Sequence, residues 1–207
     1  MDTRTQTQTT DNNSAVNLPV NLPVNSVVDI IYLIDRSGSM VDLMSDAIGG
    51  FNTFVKEQQK ELGECYLTLI AFDISCDTIY DRVPIQEVSE LSADRIPPRG
   101  ATALNDVVGK ALSSMPGYWN VITLIMTDGE ENSSIEWTID KVKDLVKSRV
   151  KDGWEINFVG VGIDGFAQGH LMGLSAAQIR SVAKSKQGVD AYSSVFTNSV
   201  STYRSSK

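Results

Sequence analysis

The sequence has 207 residues, which suits one domain with a short additional segment. Hydrophobic residues make up 42% of it, enough for a substantial core. The formal net charge is -8, and nonspecific binding to nucleic acids or anionic membranes needs clustered Lys and Arg, so this charge argues against both. We find no run of membrane-spanning length and apolarity, and no apolar signal segment among the first residues. We therefore expect a cytoplasmic protein.

The N-terminal segment, residues 1–24, differs in composition from the rest of the chain. Thr, Gln and Asn dominate it, and Asn-Leu-Pro-Val occurs twice in tandem, at 17–20 and 21–24. Because proline interrupts helices and polar composition disfavours a core, we predict a low-complexity, flexible tail. The alternative is that the Leu and Val residues of the repeat dock on the domain or on a partner. The domain itself is expected to span residues 25–207.

Short apolar, β-branched runs alternate with segments of helical periodicity through the rest of the chain. Strands are predicted at 27–34, 66–72, 78–83, 121–126, 154–161 and 179–182, and helices at 42–62, 104–115, 133–151, 166–171 and from 185 onward; a helix is the alternative for 179–182. The uninterrupted run 121–126 is typical of a central parallel strand, whereas 78–83 alternates and meets a proline, as edge strands do. These elements predict an α/β fold with three layers. A mainly parallel central sheet of Rossmann-like type carries one antiparallel edge strand and helices on both faces.

The two cysteines are expected to remain free thiols. Cys65 and Cys76 flank the second predicted strand and the turn at 73–75, so the turn lies near Cys76 and far from Cys65. That separation is too large for a disulfide. Reduced cysteines are typical of a reducing compartment, in agreement with a cytoplasmic location.

Oxygen-bearing side chains follow the first strand directly. Asp35, Ser37 and Ser39 are spaced two residues apart, and alternate residues of an extended segment point the same way. Gly38 allows the chain to turn between them. Such hard oxygen donors, few of them charged, suit Mg²⁺ or Mn²⁺. Arg36 and Arg99 flank the site; we expect both to be solvated, with steering of an acidic partner as the alternative.

The Asp-x-Ser-x-Ser sequence at 35–39 resembles the metal-ion-dependent adhesion site (MIDAS) of von Willebrand factor type A domains. Two further segments resemble the same site: Gly100-Ala101-Thr102 ahead of a predicted helix, and Thr127-Asp128-Gly129 after the run 121–126. Ala101 stands where many members have a second glycine. The resemblance covers about residues 25–207 and implies the three-layer α/β fold of von Willebrand factor type A domains. It also implies five metal-binding residues, namely Asp35, Ser37, Ser39, Thr102 and Asp128.

The resemblance also implies a function. The three hydroxyls would bind the metal directly, while Asp35 and Asp128 would act partly through water. An ion with so little ligand charge seeks another anionic oxygen, which in this family commonly comes from a Glu or Asp of a protein partner. No positioned base or nucleophile is implied, so we expect a binding module rather than an enzyme.

Other functions fit the sequence as well. One is a metal-dependent phosphohydrolase. Another is a non-catalytic subunit or adaptor of an ATPase complex, since the chain has no P-loop. A third is a structural assembly domain. The five polar residues also match ordinary strand-end turns and caps when each is taken alone. The sequence does not predict the oligomeric state.

Overall fold

The computed structural model describes residues 27–115 and 120–206. The predicted tail at 1–24 therefore lies outside the described residues. The strands are β1 (Val28–Asp35), β2 (Cys65–Phe72), β3 (Cys76–Pro84), β4 (Val121–Thr127), β5 (Glu155–Val161) and β6 (Ile179–Val182). The helices are α1 (Met44–Gln58), α2 (Leu104–Ser113), α3 (Ile139–Lys151), α4 (Gly165–Leu171) and α5 (Lys186–Ser205).

The strands form one 6-stranded sheet in the order β3-β2-β1-β4-β5-β6. Neighbouring strands are parallel except for β2 and β3, which pair antiparallel at one edge. The predicted α/β fold with one antiparallel edge strand is therefore confirmed, and 179–182 is a strand. Because β1 and β4 are central and parallel, the connections that follow them emerge at the same edge of the sheet.

Helices pack on both faces of the sheet through hydrophobic side chains, which gives the three predicted layers. Successive residues of β1 point to opposite faces, so Tyr32 packs on one side and Ile31 and Leu33 on the other. On the first face α1 and α5 cover the sheet, and the rings of Phe51 and Phe196 lie 5.2 and 5.9 Å from that of Tyr32. On the second face α2 and α3 do so. This packing fixes β1, and with it the position of the motif that follows.

The predicted start of the helix at 133 is wrong, because α3 begins at Ile139 with Thr138 as its N-cap. The Asp106 carboxylate accepts hydrogen bonds from the backbone nitrogens of residues 135, 136 and 137. Glu131 accepts from the backbone nitrogens of residues 133 and 134 in the same way. Side chains thus satisfy donors that a first helical turn would leave free, and the segment stays a loop.

The cysteine prediction is confirmed, since Cys65 and Cys76 are both free. Cys65 begins β2, and Cys76 pairs with Phe72 at the other end of that strand. The first predicted helix also ends earlier than expected, at Gln58. Within 27–115 and 120–206, no helix has both the length and the apolar character needed to cross a bilayer.

Candidate functional site

Three connections meet at the carboxyl end of the central strands: the first (36–43) after β1, the second (85–103) before α2, and the third (128–138) after β4. The first and second are joined by backbone hydrogen bonds, from Gly38 N to Gly100 O at 3.1 Å and from Arg99 N to Arg36 O at 2.8 Å. The second and third are joined through Asn132, whose backbone nitrogen donates to Thr102 O. The three predicted ligand segments therefore lie side by side.

Asp35 is fully buried at the end of β1. Its Oδ1 accepts a hydrogen bond from Ser37 N at 2.6 Å, and its Oδ2 accepts one from the Thr127 hydroxyl. Burial raises the pKa of the Asp35 carboxyl to about 6, although hydrogen bonds from Thr127 and Ser37 oppose that rise. The nearby charge of Asp128 adds to it. The carboxylate is thus held in position by neutral donors, with its charge only partly balanced.

A chain of hydrogen bonds links the first connection to the third. The hydroxyls of Ser37 and Ser39 are 3.0 Å apart, and Ser39 Oγ donates to Asp128 Oδ1 at 2.5 Å. Ser37 and Asp128 are buried, whereas Ser39 is exposed. Four of the five predicted residues therefore form one continuous polar group, open to solvent at Ser39.

The fifth predicted residue, Thr102, is buried and lies against the residue that follows Asp128. A Cβ atom placed on Gly129 would lie only 2.6 Å from Thr102 Oγ1. Glycine at 129 therefore gives the Thr102 hydroxyl the space to approach the third connection. The structure thus brings all five predicted residues to one end of the sheet.

A further residue of the site, Lys184, lies between β6 and α5 and was not expected from the sequence. Its Nζ donates to Asp128 Oδ2 at 2.7 Å and to the backbone oxygen of Ser39 at 3.0 Å. Lys184 is 56 residues from Asp128 in the sequence, and its surroundings carry no motif. Only the folding of β6 beside β5 brings it to the site.

The expectation that Arg36 is solvated is wrong, because its side chain is buried behind the first connection. Arg36 Nε donates to Asp73 Oδ2 at 2.9 Å, and the half-exposed Arg99 donates to the same oxygen at 2.8 Å. Burial of Asp73 would raise the pKa of its carboxyl, but hydrogen bonds from Arg99 and Ser75 outweigh it and hold that pKa below its usual value. These ion pairs fix the turn after β2 against the first two connections.

The donor set suits a hard divalent cation. It consists of three hydroxyls and two carboxylates, the oxygen ligands that Mg²⁺ and Mn²⁺ prefer. In the described part of the chain no group of three or more His, Cys, Asp or Glu side chains is placed to hold a metal ion, and a hydroxyl-based site does not require one. The ammonium of Lys184 already contacts Asp128 Oδ2, so this carboxylate does accept a positive charge.

No protein-family model matches the sequence, and no match was found among curated proteins. Solved structures match it by fold. Proximal thread matrix protein 1 (PTMP1) from the mussel byssus, with a zinc-occupied MIDAS motif, is 16% identical over 84% of this chain, with a TM-score of 0.66. The pilus adhesin SpaC from Lactobacillus rhamnosus GG is 16% identical over 84%, with a TM-score of 0.63. A von Willebrand factor type A protein from Catenulispora acidiphila is 15% identical over 82%, with a TM-score of 0.57.

This chain spans 46%, 30% and 42% of the length of those three structures, respectively. It therefore corresponds to a part of each of them, and at this identity the likeness concerns the fold. The sheet order, the single antiparallel edge strand and the helices on both faces agree with that likeness. The described part of this chain has the fold of a von Willebrand factor type A domain.

Proposed function

We propose that this protein is a protein-binding module that depends on a divalent metal. Asp35, Ser37, Ser39, Thr102 and Asp128 hold Mg²⁺ or Mn²⁺, and a Glu or Asp of a partner protein supplies a further ligand. The observation that carries this proposal is the hydrogen-bonded chain from Ser37 through Ser39 to Asp128. It joins Ser39 to Asp128, 89 positions away in the sequence, and its middle member, Ser39, is exposed.

The charges of the site support a binding role. The metal would supply positive charge next to the buried carboxylates Asp35 and Asp128, and hydroxyl ligands would leave that charge incompletely neutralised. Such a cation attracts an anionic oxygen from outside. The chain's own residues hold the ion and keep its inner side dry, since Asp35, Ser37 and Thr102 are buried.

Exposed aliphatic side chains on the surrounding connections support a protein as the partner. Val41, Ile74 and Ile135 are 63%, 65% and 91% exposed. Val41 follows Ser39 in the first connection, Ile135 lies in the third, and Ile74 lies against Gly100 in the second. Exposed apolar side chains that lie together beside polar groups mark protein interaction sites. We therefore propose a partner segment in which apolar side chains flank the acidic residue.

The neighbouring structures are compatible with this assignment. PTMP1 has zinc in its MIDAS motif, and SpaC is a pilus adhesin. For this chain we propose Mg²⁺ or Mn²⁺ because the donors are hydroxyls and carboxylates, and zinc sites usually contain imidazole or thiolate. We propose that the protein functions in a reducing compartment such as the cytoplasm, because Cys65 and Cys76 are free thiols.

Isothermal titration calorimetry of the purified chain with Mg²⁺ and Mn²⁺ tests the metal site. The wild type should bind one ion, and Asp35→Ala and Asp128→Ala should abolish the signal. Asp190→Ala is the matched control, because Asp190 is exposed on α5 and pairs with Lys186. Absence of binding by the wild type, or unchanged binding by Asp35→Ala, contradicts the proposal.

A peptide array tests the ligand class. Peptides with one central Glu and aliphatic neighbours should bind in the presence of Mg²⁺, and this binding should be lost in EDTA. The same peptides with Gln in place of Glu should not bind. Metal-dependent hydrolysis of a phosphate ester that is lost in Asp128→Ala would instead support the phosphohydrolase alternative and overturn this function.

A further inference from the structure

Lys184 reaches the candidate metal site from the connection between the edge strand β6 and α5. It follows β6, where the chain passes so close to Gly162 that a Cβ on this glycine would lie 2.7 Å from Lys184 Cβ. Gly162 has a φ of 73°, a conformation that favours glycine and permits this approach. The lysine is therefore held at its base by the backbone, while its side chain extends toward the first and third connections.

The ammonium of Lys184 engages the part of the site that faces solvent. The Asp128 side chain is 0% exposed and that of Lys184 is 43% exposed. Ser39 donates to Asp128 Oδ1 and Lys184 to Oδ2, so both oxygens of this carboxylate already have partners. A third contact, from Lys184 Nζ to Ser39 O, joins the ammonium to the first connection.

A metal ion and this ammonium cannot both hold Asp128 without cost. Like charges a few ångströms apart repel strongly where one side is shielded from water, as it is here. A cation that binds Asp128, directly or through water, therefore has to displace Lys184 or share the carboxylate with it. Lys184 is thus placed to compete for the site.

We infer that Lys184 is a tethered counter-cation that competes with the divalent metal for Asp128 and so sets the metal affinity of the site. This inference rests on the proposed metal site. In the metal-free protein Lys184 balances the charge of Asp128 and links the first connection, the third connection and the start of α5. When the metal binds, the ion takes over that role and the ammonium is released toward solvent.

The inference predicts two effects of opposite sign for Lys184→Met. Because the competitor is gone, Mg²⁺ affinity measured by calorimetry should rise by about tenfold or more. Because the buried charge of Asp128 is then unbalanced, the melting temperature in EDTA should fall below that of the wild type. A purely structural role would lower stability without tightening metal binding. Lys184→Gln, which keeps a hydrogen-bond donor, serves as a second variant should Lys184→Met fold poorly.

Lys186→Met is the matched control. It removes the same charge two residues further on, where Lys186 contacts Asp46 and Asp190 on the α1 and α5 surface. Its Mg²⁺ affinity should stay within about twofold of the wild type, since exposed charges are screened by salt. Lys184→Arg keeps the cation and should leave the affinity close to that of the wild type.

The outcomes separate this inference from the proposed function. Equal affinity gains in Lys184→Met and Lys186→Met would reduce the effect to net charge and overturn the inference. Unchanged or weaker Mg²⁺ binding by Lys184→Met, with normal binding by the wild type, overturns it too and leaves the metal site intact. If neither protein binds Mg²⁺ or Mn²⁺, both proposals fail. Binding by Lys184→Met alone supports the competition and contradicts a metal site in the wild-type chain.

Discussion

Two buried carboxylates at the same end of the sheet, those of Asp73 and Asp35, have different partners and opposite pKa shifts. Asp73, after β2, contacts two guanidinium groups, those of Arg36 and Arg99, and its pKa is held low. Asp35, after β1, contacts neutral donors, and burial raises its pKa to about 6. The chain itself balances the first charge permanently. It leaves the second group with an incompletely balanced charge, as expected where a removable cation is to bind.

The same difference separates residues that hold the fold together from the proposed metal ligands. Asp73, Arg36 and Arg99, here called the Asp73 cluster, fix the turn after β2 against the first connection. Asp73 O also accepts a hydrogen bond from Ala103 N in the second connection. The Asp73 cluster therefore helps to hold the first and second connections in place next to Asp35 and Asp128. If this comparison is correct, changes in the Asp73 cluster should reduce folding stability, whereas changes at Asp35 should affect metal binding.

The largest expected effect comes from Arg36→Met. This change leaves Asp73 buried with one of its two guanidinium partners gone, and loss of one partner of a buried ion pair lowers the free energy of unfolding by about 3–5 kcal/mol. Urea denaturation in EDTA measures it. Arg99→Met is the control: its side chain is 54% exposed, so we expect a loss of about 1 kcal/mol or less. Equal losses of unfolding free energy in the two variants would contradict the view that the buried Arg36 is the main stabilising partner of Asp73.

Asp35→Asn should abolish metal binding yet stabilise the metal-free protein. The raised pKa means that folding disfavours the ionised carboxyl, so removing the charge at pH 7 should raise the free energy of unfolding in EDTA by about 1–3 kcal/mol.

The stability difference between Asp35→Asn and the wild type should depend on pH, and the direction of that dependence tests the raised pKa of Asp35. A raised pKa favours folding below 3.8, the ordinary value, and that contribution is lost as the pH rises through about 6. The advantage of Asp35→Asn should therefore shrink as the pH falls from 7 toward 4. A loss of stability in Asp35→Asn at pH 7 would show that the ionised carboxylate is needed for the fold.

Gly129→Ala should weaken Mg²⁺ binding by about tenfold, the lower range for residues that orient a metal ligand. The added methyl group would overlap the Thr102 hydroxyl and force it to move. Calorimetry measures the affinity. The control is Gly49→Ala in α1, where no atom lies within 4 Å of the new Cβ; it should leave metal binding unchanged and stabilise the helix by about 0.5–1 kcal/mol.

The smallest effect is expected for Ile135→Ser. Its side chain is exposed, so stability and Mg²⁺ affinity should stay as in the wild type, with changes in stability within about 0.5 kcal/mol. Binding to the Glu peptides with aliphatic neighbours should fall severalfold. Leu62→Ser, equally exposed but beyond the end of α1 at the other end of the sheet, should not change it. Identical peptide binding in both variants would argue against the proposed apolar contact.

The sequence predicted the fold well because its signals are local. Periodicity and β-branched runs identify the strands and helices, and the proline after 78–83 marks the edge strand. The start of α3 was predicted wrongly for a tertiary reason. Asp106, which lies in α2 about 30 residues away, accepts hydrogen bonds from the backbone nitrogens at 135–137, while the nearby Glu131 accepts from those at 133 and 134. The contact with the distant Asp106 overrides the local capping signal.

The candidate site divides in the same way. By itself the sequence determined the spacing of Asp35, Ser37 and Ser39 after a strand, because spacing is a property of a short segment. The resemblance of three short segments to the MIDAS added Thr102 and Asp128 to the expected residues. Only the tertiary structure decided that Arg36 is buried against Asp73 and that Lys184 contacts Asp128. Such contacts depend on strand order and on the packing of segments distant in the sequence, and local patterns carry no information about either.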